Sequence, residues 1–235
     1  MPIDRPPDRT WEYGSGPDQV ADVYVPDAAA SPLSTVALIH GGFWRPTYDR
    51  VHLRPLAIAL ADRGHTVFSL EYRRVPGDPD ATTSDVRSAI SLLPDDVQLI
   101  GHSAGGHLVL WLAAEPDLSV TVVALAPVAD LVLADDLDLG AGAVRAFLGT
   151  SPGSRADLDP VRRSAPRRAV SVIHGEQDDT VPIDIGASYA AVMAPHARLV
   201  AIPECGHFEP IDPTSHVWPL LLGELDRLAG LRGIE

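Results

Sequence analysis

Ser103 is the residue whose type and setting most clearly suggest chemistry. It lies in Gly101-His102-Ser103-Ala104-Gly105, where an apolar run typical of a buried strand meets a run typical of a helix. A serine hydroxyl attacks a carbonyl only when the fold holds it beside a base and near donors for the resulting oxyanion. A tight strand-to-helix turn does this, and the flanking glycines remove Cβ atoms that would clash there. We therefore predict that Ser103 is a nucleophile.

A second copy of the glycine-serine-glycine pattern occurs at residues 149–153, around Ser151. No apolar strand pattern precedes this copy, and no helical pattern follows it. The residue after the nucleophile must also donate its backbone N–H to the oxyanion, and Pro152 has no N–H. Ala104 has one, so Ser103 is the better candidate.

A nucleophile of this kind needs a second oxyanion donor. The run His-Gly-Gly-Phe-Trp at residues 40–44 follows a short β-branched apolar run that predicts a central strand. Two glycines at such a point let the backbone turn its amide groups toward a pocket. We assign the oxyanion hole to the N–H groups of Gly42, Phe43 and Ala104, and we expect His40 to shape the turn rather than react.

A serine nucleophile also needs a base, and the base needs an acid that orients it. His207 is the best base among the nine histidines, because it lies behind a glycine in the loop after the last predicted strand. Asp178 and Asp179 both follow the preceding predicted strand, and composition does not separate them. The acid therefore stays open between these two residues.

Apolar periodicity alternates between strand and helix along the chain. Strands are predicted near residues 20–25, 35–39, 65–70, 97–102, 120–125, 169–173 and 199–202, and helices near 53–63, 81–93, 108–114, 144–148, 183–193 and 215–229. This alternation predicts an α/β fold with a mostly parallel central sheet and helices on both faces. Functional groups gather at the carboxyl ends of such strands, which would bring Ser103, His207 and an aspartate together.

The length of 235 residues fits one domain, residues 1–235, with a polar segment at 1–19. Periodicity fades over residues 130–168, where we expect at most a small lid or insertion. The charged run at residues 71–74 predicts a solvated loop or a local ion pair.

The net charge of −14 argues against a nucleic-acid partner or an anionic membrane surface. The polar, proline-rich start is neither a signal peptide nor an anchor, and no apolar run approaches a membrane span. A single cysteine excludes an internal disulfide and a thiolate metal cluster, which fits a cytoplasmic protein. The sequence predicts no metal and no cofactor, and it leaves the oligomeric state open, a homodimer included.

Taken together, these motifs resemble the α/β-hydrolase fold over nearly the whole chain. The family's order of serine, acid and histidine matches Ser103, Asp178 and His207. Its acid-loop pattern, H-G-x-x-D-x-x-V-P, is met at residues 174–182 and selects Asp178 over Asp179. The resemblance implies a Ser-His-Asp triad that works through an acyl-enzyme.

Within the fold, the runs at residues 40–44, 101–107 and 206–208 look like those of kynurenine formamidases and related small esterases. This implies a metal-independent serine hydrolase that cleaves a small carboxylic ester or an arylformamide. Trp44, His102 and Phe208 are the expected substrate contacts. The alternatives are a general short-chain carboxylesterase, a peptidase of the prolyl-oligopeptidase type and a non-catalytic ligand-binding homologue.

Overall fold

A computed structural model describes residues 5–27 and 33–231 and shows an α/β fold. Strands β1 to β8 comprise Arg9–Glu12, Val20–Tyr24, Thr35–Ile39, Thr66–Leu70, Gln98–His102, Thr121–Leu125, Val170–Gly175 and Ala197–Ile202. Helices α1 to α7 comprise Arg54–Asp62, Pro79–Ser91, Ala104–Ala113, Leu131–Asp136, Ala143–Leu148, Ile183–Val192 and Trp218–Leu231. Short 3₁₀ turns join several of these elements.

The eight strands of the described residues form one sheet in the order β1-β2-β4-β3-β5-β6-β7-β8. Strand β2 is antiparallel to both of its neighbours, β1 and β4, whereas β4, β3, β5, β6, β7 and β8 pair in parallel. The carboxyl ends of the parallel strands therefore share one edge of the sheet. At this edge the loop after β3 adjoins the loop after β5, and the loop after β7 adjoins the loop after β8.

Helices cover both faces of the sheet, as the sequence predicts. One core contains apolar side chains of α2, α3 and α6, and the other contains those of α1 and α7. Helix α3 is apolar on all sides, and each of its ten residues is buried. Strands β5 and β6 are buried along their whole length, which explains why their sequences lack the alternation of apolar and polar residues typical of a half-exposed strand.

The structure adds two elements that the sequence pattern does not predict. Strand β1 lies in the predicted polar segment at residues 1–19, of which residues 1–4 lie outside the described residues. It is mostly exposed and is held by pairing with β2, and Trp11 packs against Phe68. Helix α4 is only six residues long and is capped by Asp130, whose side chain accepts from the N–H of Leu133. None of the helices in the described ranges has both the length and the hydropathy that a membrane span requires.

Candidate active site

Ser103 occupies the turn between β5 and α3, as predicted. Its backbone has φ 56° and ψ −118°, a strained conformation for a residue with a side chain. The strain is held in place by hydrogen bonds, since the Ser103 N–H donates to Leu125 O at 2.9 Å and the Ser103 carbonyl accepts from His107 N at 3.1 Å. The turn thus projects the Ser103 side chain from the carboxyl edge of the sheet.

The two glycines of the motif are needed because helix α3 lies directly on the strands. A Cβ atom on Gly101 would overlap the carbonyl oxygen of Gly105, and one on Gly105 would overlap the carbonyl oxygen of Ile39. The glycines therefore permit the close approach of helix and sheet that sets the position of Ser103.

Asp178 and His207 are brought together by the loops after β7 and β8. His207 Nδ1 donates to Asp178 Oδ2 at 2.7 Å, and both side chains are buried. The other carboxylate oxygen, Oδ1, accepts from the backbone N–H groups of Thr180 at 3.0 Å and Val181 at 2.8 Å. Asp179, the alternative acid, is exposed. The geometry therefore supports Asp178 as the partner of the histidine.

The Asp178 carboxylate is held in its charged form. Burial alone would raise its pKa, but hydrogen bonds from His174 and His207 outweigh burial and keep the pKa of Asp178 well below its ordinary value. His174 Nε2 lies 3.4 Å from Asp178 Oδ2 and donates to the carbonyl of Val181 at 2.8 Å. A charged Asp178 can fix the tautomer of His207 and stabilise an imidazolium.

The turn after β3 lies against the serine. A Cβ atom on Gly41 would come within 2.8 Å of Ser103 Cβ, and the next three residues have positive φ angles, 103° at Gly42, 52° at Phe43 and 54° at Trp44. Neither Gly42 nor Phe43 donates its backbone N–H to any group in the described part of the chain. Ala104 is the first residue of α3, where the N–H has no partner within the helix. The predicted donors are thus available beside Ser103.

Beneath this turn lies a buried charged network that extends beyond residues 71–74 to Arg50 and His40. Glu71 is only 3% exposed, and its carboxylate accepts from the N–H of Arg50 at 3.1 Å and from the guanidinium of Arg74. His40 Nε2 lies 3.0 Å from Glu71 Oε1, and the hydroxyl of Tyr72 donates to the His40 carbonyl at 2.8 Å. The local ion pair predicted for residues 71–74 is present, but the solvated loop is not, because the run packs under the turn.

His40 shapes this turn, as the sequence predicts. Its Nδ1–H donates to the carbonyl of Gly41 at 2.8 Å, and its Nε2 faces Arg74 Nη1 at 3.0 Å. Burial and the Arg74 guanidinium lower the pKa of His40 to about 3, so the imidazole is neutral. Both ring nitrogens are engaged, so this histidine is unsuited to proton transfer.

A pocket of about 120 Å³ lies at the carboxyl edge of the sheet. It is lined by residues from the turn after β3, the elbow and the last loop, namely Gly42, Phe43, Tyr48, His52, His102, Ser103, Thr180, His207 and Phe208. The proposed nucleophile and base therefore face the same space, although no hydrogen bond joins their side chains among the described residues. Such bonds are often long in unliganded enzymes and tighten when substrate binds.

The three predicted substrate contacts have different outcomes. His102 and Phe208 line the pocket, and His102 Nε2 also donates to the backbone carbonyl of His207 at 2.9 Å. Trp44 does not line it: its side chain is 3% exposed and stacks on Phe147 at 4.5 Å between ring centroids. Trp44 is thus a core residue rather than a substrate contact, because its ring packs against Phe147 and His107.

Sequence reasoning missed three lining residues, Tyr48, His52 and Thr180. Tyr48 and His52 lie in the long connection between β3 and α1, which has no periodicity to mark them. The presence of an aromatic residue four positions after the predicted oxyanion turn is the signal that could have pointed to Tyr48.

The segment 130–168 contacts the turn after β3 but does not line the pocket. The guanidinium of Arg45 donates to the carbonyl of Gly140, and Gly140 packs against the ring of Phe43. No residue of this fully described segment lines the pocket. Ser151, from the second glycine-serine-glycine pattern, also lies here, at the start of a 3₁₀ turn, and its hydroxyl contacts Ser154.

Family models match two overlapping parts of the chain. A model described as BD-FAE matches residues 21–125, and the prolyl oligopeptidase family model matches residues 89–209, which include Ser103, Asp178 and His207. The chain belongs to the prolyl oligopeptidase family, within the α/β-hydrolase superfamily. The resemblance to α/β-hydrolases that the motifs indicate is thereby confirmed.

Among curated relatives, this α/β-hydrolase is similar to a probable isoprenylcysteine alpha-carbonyl methylesterase of Oryza sativa subsp. japonica. The two are 32% identical over 111 residues, which are 43% of this chain and 27% of the relative. The match thus spans about a quarter of the relative's length.

Solved structures share the fold over almost the whole chain. Esterase B from Lactobacillus rhamnosis has a TM-score of 0.78 at 20% identity and covers 97% of this chain and 89% of its own. A thermophilic esterase from the Planctomycetes species Thermogutta terrifontis has a TM-score of 0.72 at 21% identity, with coverage of 95% and 94%. At these identities the comparison shows a common fold.

Proposed function

We propose that this chain is a serine hydrolase that cleaves carboxylic esters with a small acyl group. The observation that carries the proposal is the strained Ser103 elbow in the same pocket as His207, whose Nδ1 is bonded to the charged Asp178. A serine, a histidine and a buried carboxylate in this order of contact are the parts that acyl transfer requires.

In the proposed reaction His207 Nε2 takes the proton of Ser103 Oγ as that oxygen attacks the ester carbonyl carbon. The carbonyl oxygen becomes an oxyanion that accepts hydrogen bonds from the N–H groups of Ala104 and the Gly42-Phe43 turn. When the tetrahedral intermediate collapses, the C–O bond to the alcohol breaks and the imidazolium gives its proton to the leaving oxygen.

Hydrolysis of the acyl-enzyme then repeats these steps with water as the nucleophile. His207 removes a proton from the water, the hydroxide adds to the acyl carbon, and collapse returns the proton to Ser103 Oγ and releases the acid. No metal or redox group enters these steps. In residues 5–27 and 33–231, no group of three or more histidine, cysteine, aspartate or glutamate side chains is arranged to hold a metal ion.

The preference for a small acyl group follows from the size of the pocket. Its volume of about 120 Å³ is below the 300–1,000 Å³ typical of sites for drug-sized ligands. The names of the methylesterase relative and of the two esterase structures are consistent with ester hydrolysis. Arylformamides are a second candidate class, because formyl is the smallest acyl group and the motifs at residues 40–44 and 101–107 resemble those of kynurenine formamidases.

The test combines covalent labelling with a substrate screen. A fluorophosphonate should label the protein at Ser103, and S103A should abolish labelling and lower kcat by at least about three orders of magnitude. S151A, the matched control in the second glycine-serine-glycine pattern, should keep both the labelling and the kcat of the wild type. Labelling that survives in S103A would refute the proposal.

The screen compares aryl acetates, N-formyl arylamines and a prolyl peptide amide at equal concentration. We expect the aryl acetates to be hydrolysed fastest. Faster turnover of the formyl arylamines would favour the arylformamidase assignment, and faster turnover of the peptide amide would favour a peptidase.

A further inference from the structure

A second cavity of about 440 Å³ adjoins the active-site pocket. The two cavities share His52 and Phe208 as lining residues. The other apolar walls come from Pro55 at the start of α1 and from Ile211 and Pro213, which follow the proposed catalytic histidine. The mechanism above makes no use of this second space, although it continues directly from the reacting groups.

The position of His207 decides which part of a substrate would enter the second cavity. In the acylation step the leaving oxygen must lie within hydrogen-bond reach of His207, which protonates it. Phe208 is the next residue, and its ring centroid lies 5.1 Å from that of His207. The second cavity begins at Phe208, so it opens where the leaving alcohol departs. The acyl group then remains in the small pocket beside Phe43 and Tyr48.

The lining also limits the chemistry of the group that binds there. Phe208 is 56% exposed, so a ligand that covers its ring gains the free energy of apolar burial. Asp212 stands at the rim, and hydrogen bonds from the hydroxyl and the backbone N–H of Thr214, at 2.7 and 2.8 Å, lower its pKa and keep it negative. No arginine or lysine lines the cavity among the described residues. An anionic group would therefore be repelled without compensation.

We propose that the second cavity is the leaving-group subsite and that the preferred substrates join a small acyl group to a larger, apolar, uncharged alcohol or phenol. This inference rests on the proposed ester hydrolysis. It adds that the acyl group and the alcohol group of the ester bind in separate cavities of different size.

A pair of isomeric esters tests this asymmetry at constant hydrophobicity. 2-Phenylethyl acetate carries its phenyl group on the alcohol side, whereas methyl 3-phenylpropanoate has the same atoms with the phenyl group on the acyl side. The wild-type enzyme should hydrolyse 2-phenylethyl acetate with a kcat/KM at least about tenfold higher, because only this isomer places its ring against Phe208. Equal rates, or faster hydrolysis of methyl 3-phenylpropanoate, would overturn the proposal.

A variant that fills the second cavity then tests whether the preference between the two isomers arises there. Thr214 is exposed at the rim of the second cavity, and T214W should lower the ratio of the two kcat/KM values about tenfold by filling that space. The matched control is S91W, at an exposed residue of another cavity, between α2 and β6. It should leave the ratio and both rates unchanged. A ratio that is unaltered in T214W would overturn the assignment of the cavity.

Failure of the proposed function has a different signature. In that case neither isomer is hydrolysed and the fluorophosphonate does not label Ser103 in the wild-type protein. Labelled, active enzyme without the isomer preference refutes the subsite alone.

Discussion

Two buried histidines beside the active-site pocket each have a ring nitrogen close to a carboxylate, and they differ in whether the other ring nitrogen is open to substrate. His207 Nδ1 contacts Asp178 at 2.7 Å, and His40 Nε2 contacts Glu71 at 3.0 Å. The second nitrogen of His40 is bonded to the Gly41 carbonyl, so that ring is locked on both sides. The ring of His207 instead lines the pocket with Ser103. A histidine beside a carboxylate is therefore suited to proton transfer only where one ring nitrogen remains open to substrate.

The largest expected effect is on the pair we assign to catalysis. D178N should lower kcat by about four orders of magnitude, because an amide would hold His207 in the wrong tautomer. D179N is the matched control, since Asp179 is exposed, and it should retain most activity. Steady-state hydrolysis of an aryl acetate measures both. Comparable losses in the two variants would remove the support for Asp178.

A substitution in the His40–Glu71 pair should mainly lower the stability of the folded protein. E71Q breaks a buried ion pair with Arg74, so it should lower the free energy of unfolding by about 3 kcal/mol. The folded variant should also show a kcat about tenfold lower at unchanged KM, because the oxyanion turn above Glu71 loses its position. Urea denaturation and steady-state kinetics measure the two effects.

Asp85 provides the control for this experiment. Its carboxylate is buried and pairs with Arg73 at 2.6 Å, away from His40. D85N should destabilise the protein without the loss of kcat. A folded E71Q with wild-type kcat would show that the Glu71 network has no part in positioning the turn.

The lowered pKa of His40 also predicts that the stability of the protein depends on pH. The pKa of His40 is lowered to about 3 in the folded protein, against about 6.5 when unfolded. The unfolded chain therefore binds more protons below pH 6.5, and stability falls as the pH falls. For His40 alone the free energy of unfolding should drop by about 1 kcal/mol from pH 7 to pH 5.5.

Two further histidines act in the same direction, since burial lowers the pKa of His107 to about 4 and that of His102 well below its ordinary value. Urea denaturation at pH 7, 6 and 5.5 tests the sign. A stability that stays level or rises over this range would mean that these rings are not neutral in the folded protein.

The smallest effect is expected when the single hydroxyl group of Tyr72 is removed. Y72F removes the hydrogen bond to the His40 carbonyl and should cost about 1 kcal/mol of stability, with kcat within about threefold of wild type. Y13F is a matched control, because the Tyr13 hydroxyl donates to the Glu71 carbonyl at 2.6 Å rather than to the turn. A loss of kcat in Y13F larger than in Y72F would contradict the view that Tyr72 is the contact that supports the turn.

The fold was predictable because its signals are local. Continuous β-branched runs, helical spacing and glycines at turns fix each element from a few neighbouring residues, and β3 matches its predicted bounds in full. Strand β1 and helix α4 were not predicted because they are too short to show a clear periodicity, and because pairing with β2 and capping by Asp130 hold them in place. Prediction from periodicity has no access to such contacts.

Within the site, sequence position alone indicated Ser103, His207 and the glycine turn, because each follows a strand in a recognisable motif. Their catalytic roles stay predictions until the variants are measured, but the structure does bring the residues together. Composition left Asp178 and Asp179 unseparated. The tertiary structure separates them by direction, since one carboxylate turns inward to His207 and the other stays exposed.

The sequence by itself determined the alternation of strands and helices from β2 onward, the position of the elbow and the chemistry that a serine in such an elbow can support. Only the tertiary structure decided that Trp44 packs in the core, that Glu71 is buried beneath the oxyanion turn and that a second cavity opens past Phe208. The reason is that burial depends on which distant segments meet. A tryptophan or a charged run has the same local sequence whether it faces a substrate, water or the core, and the packing of other elements alone selects among them.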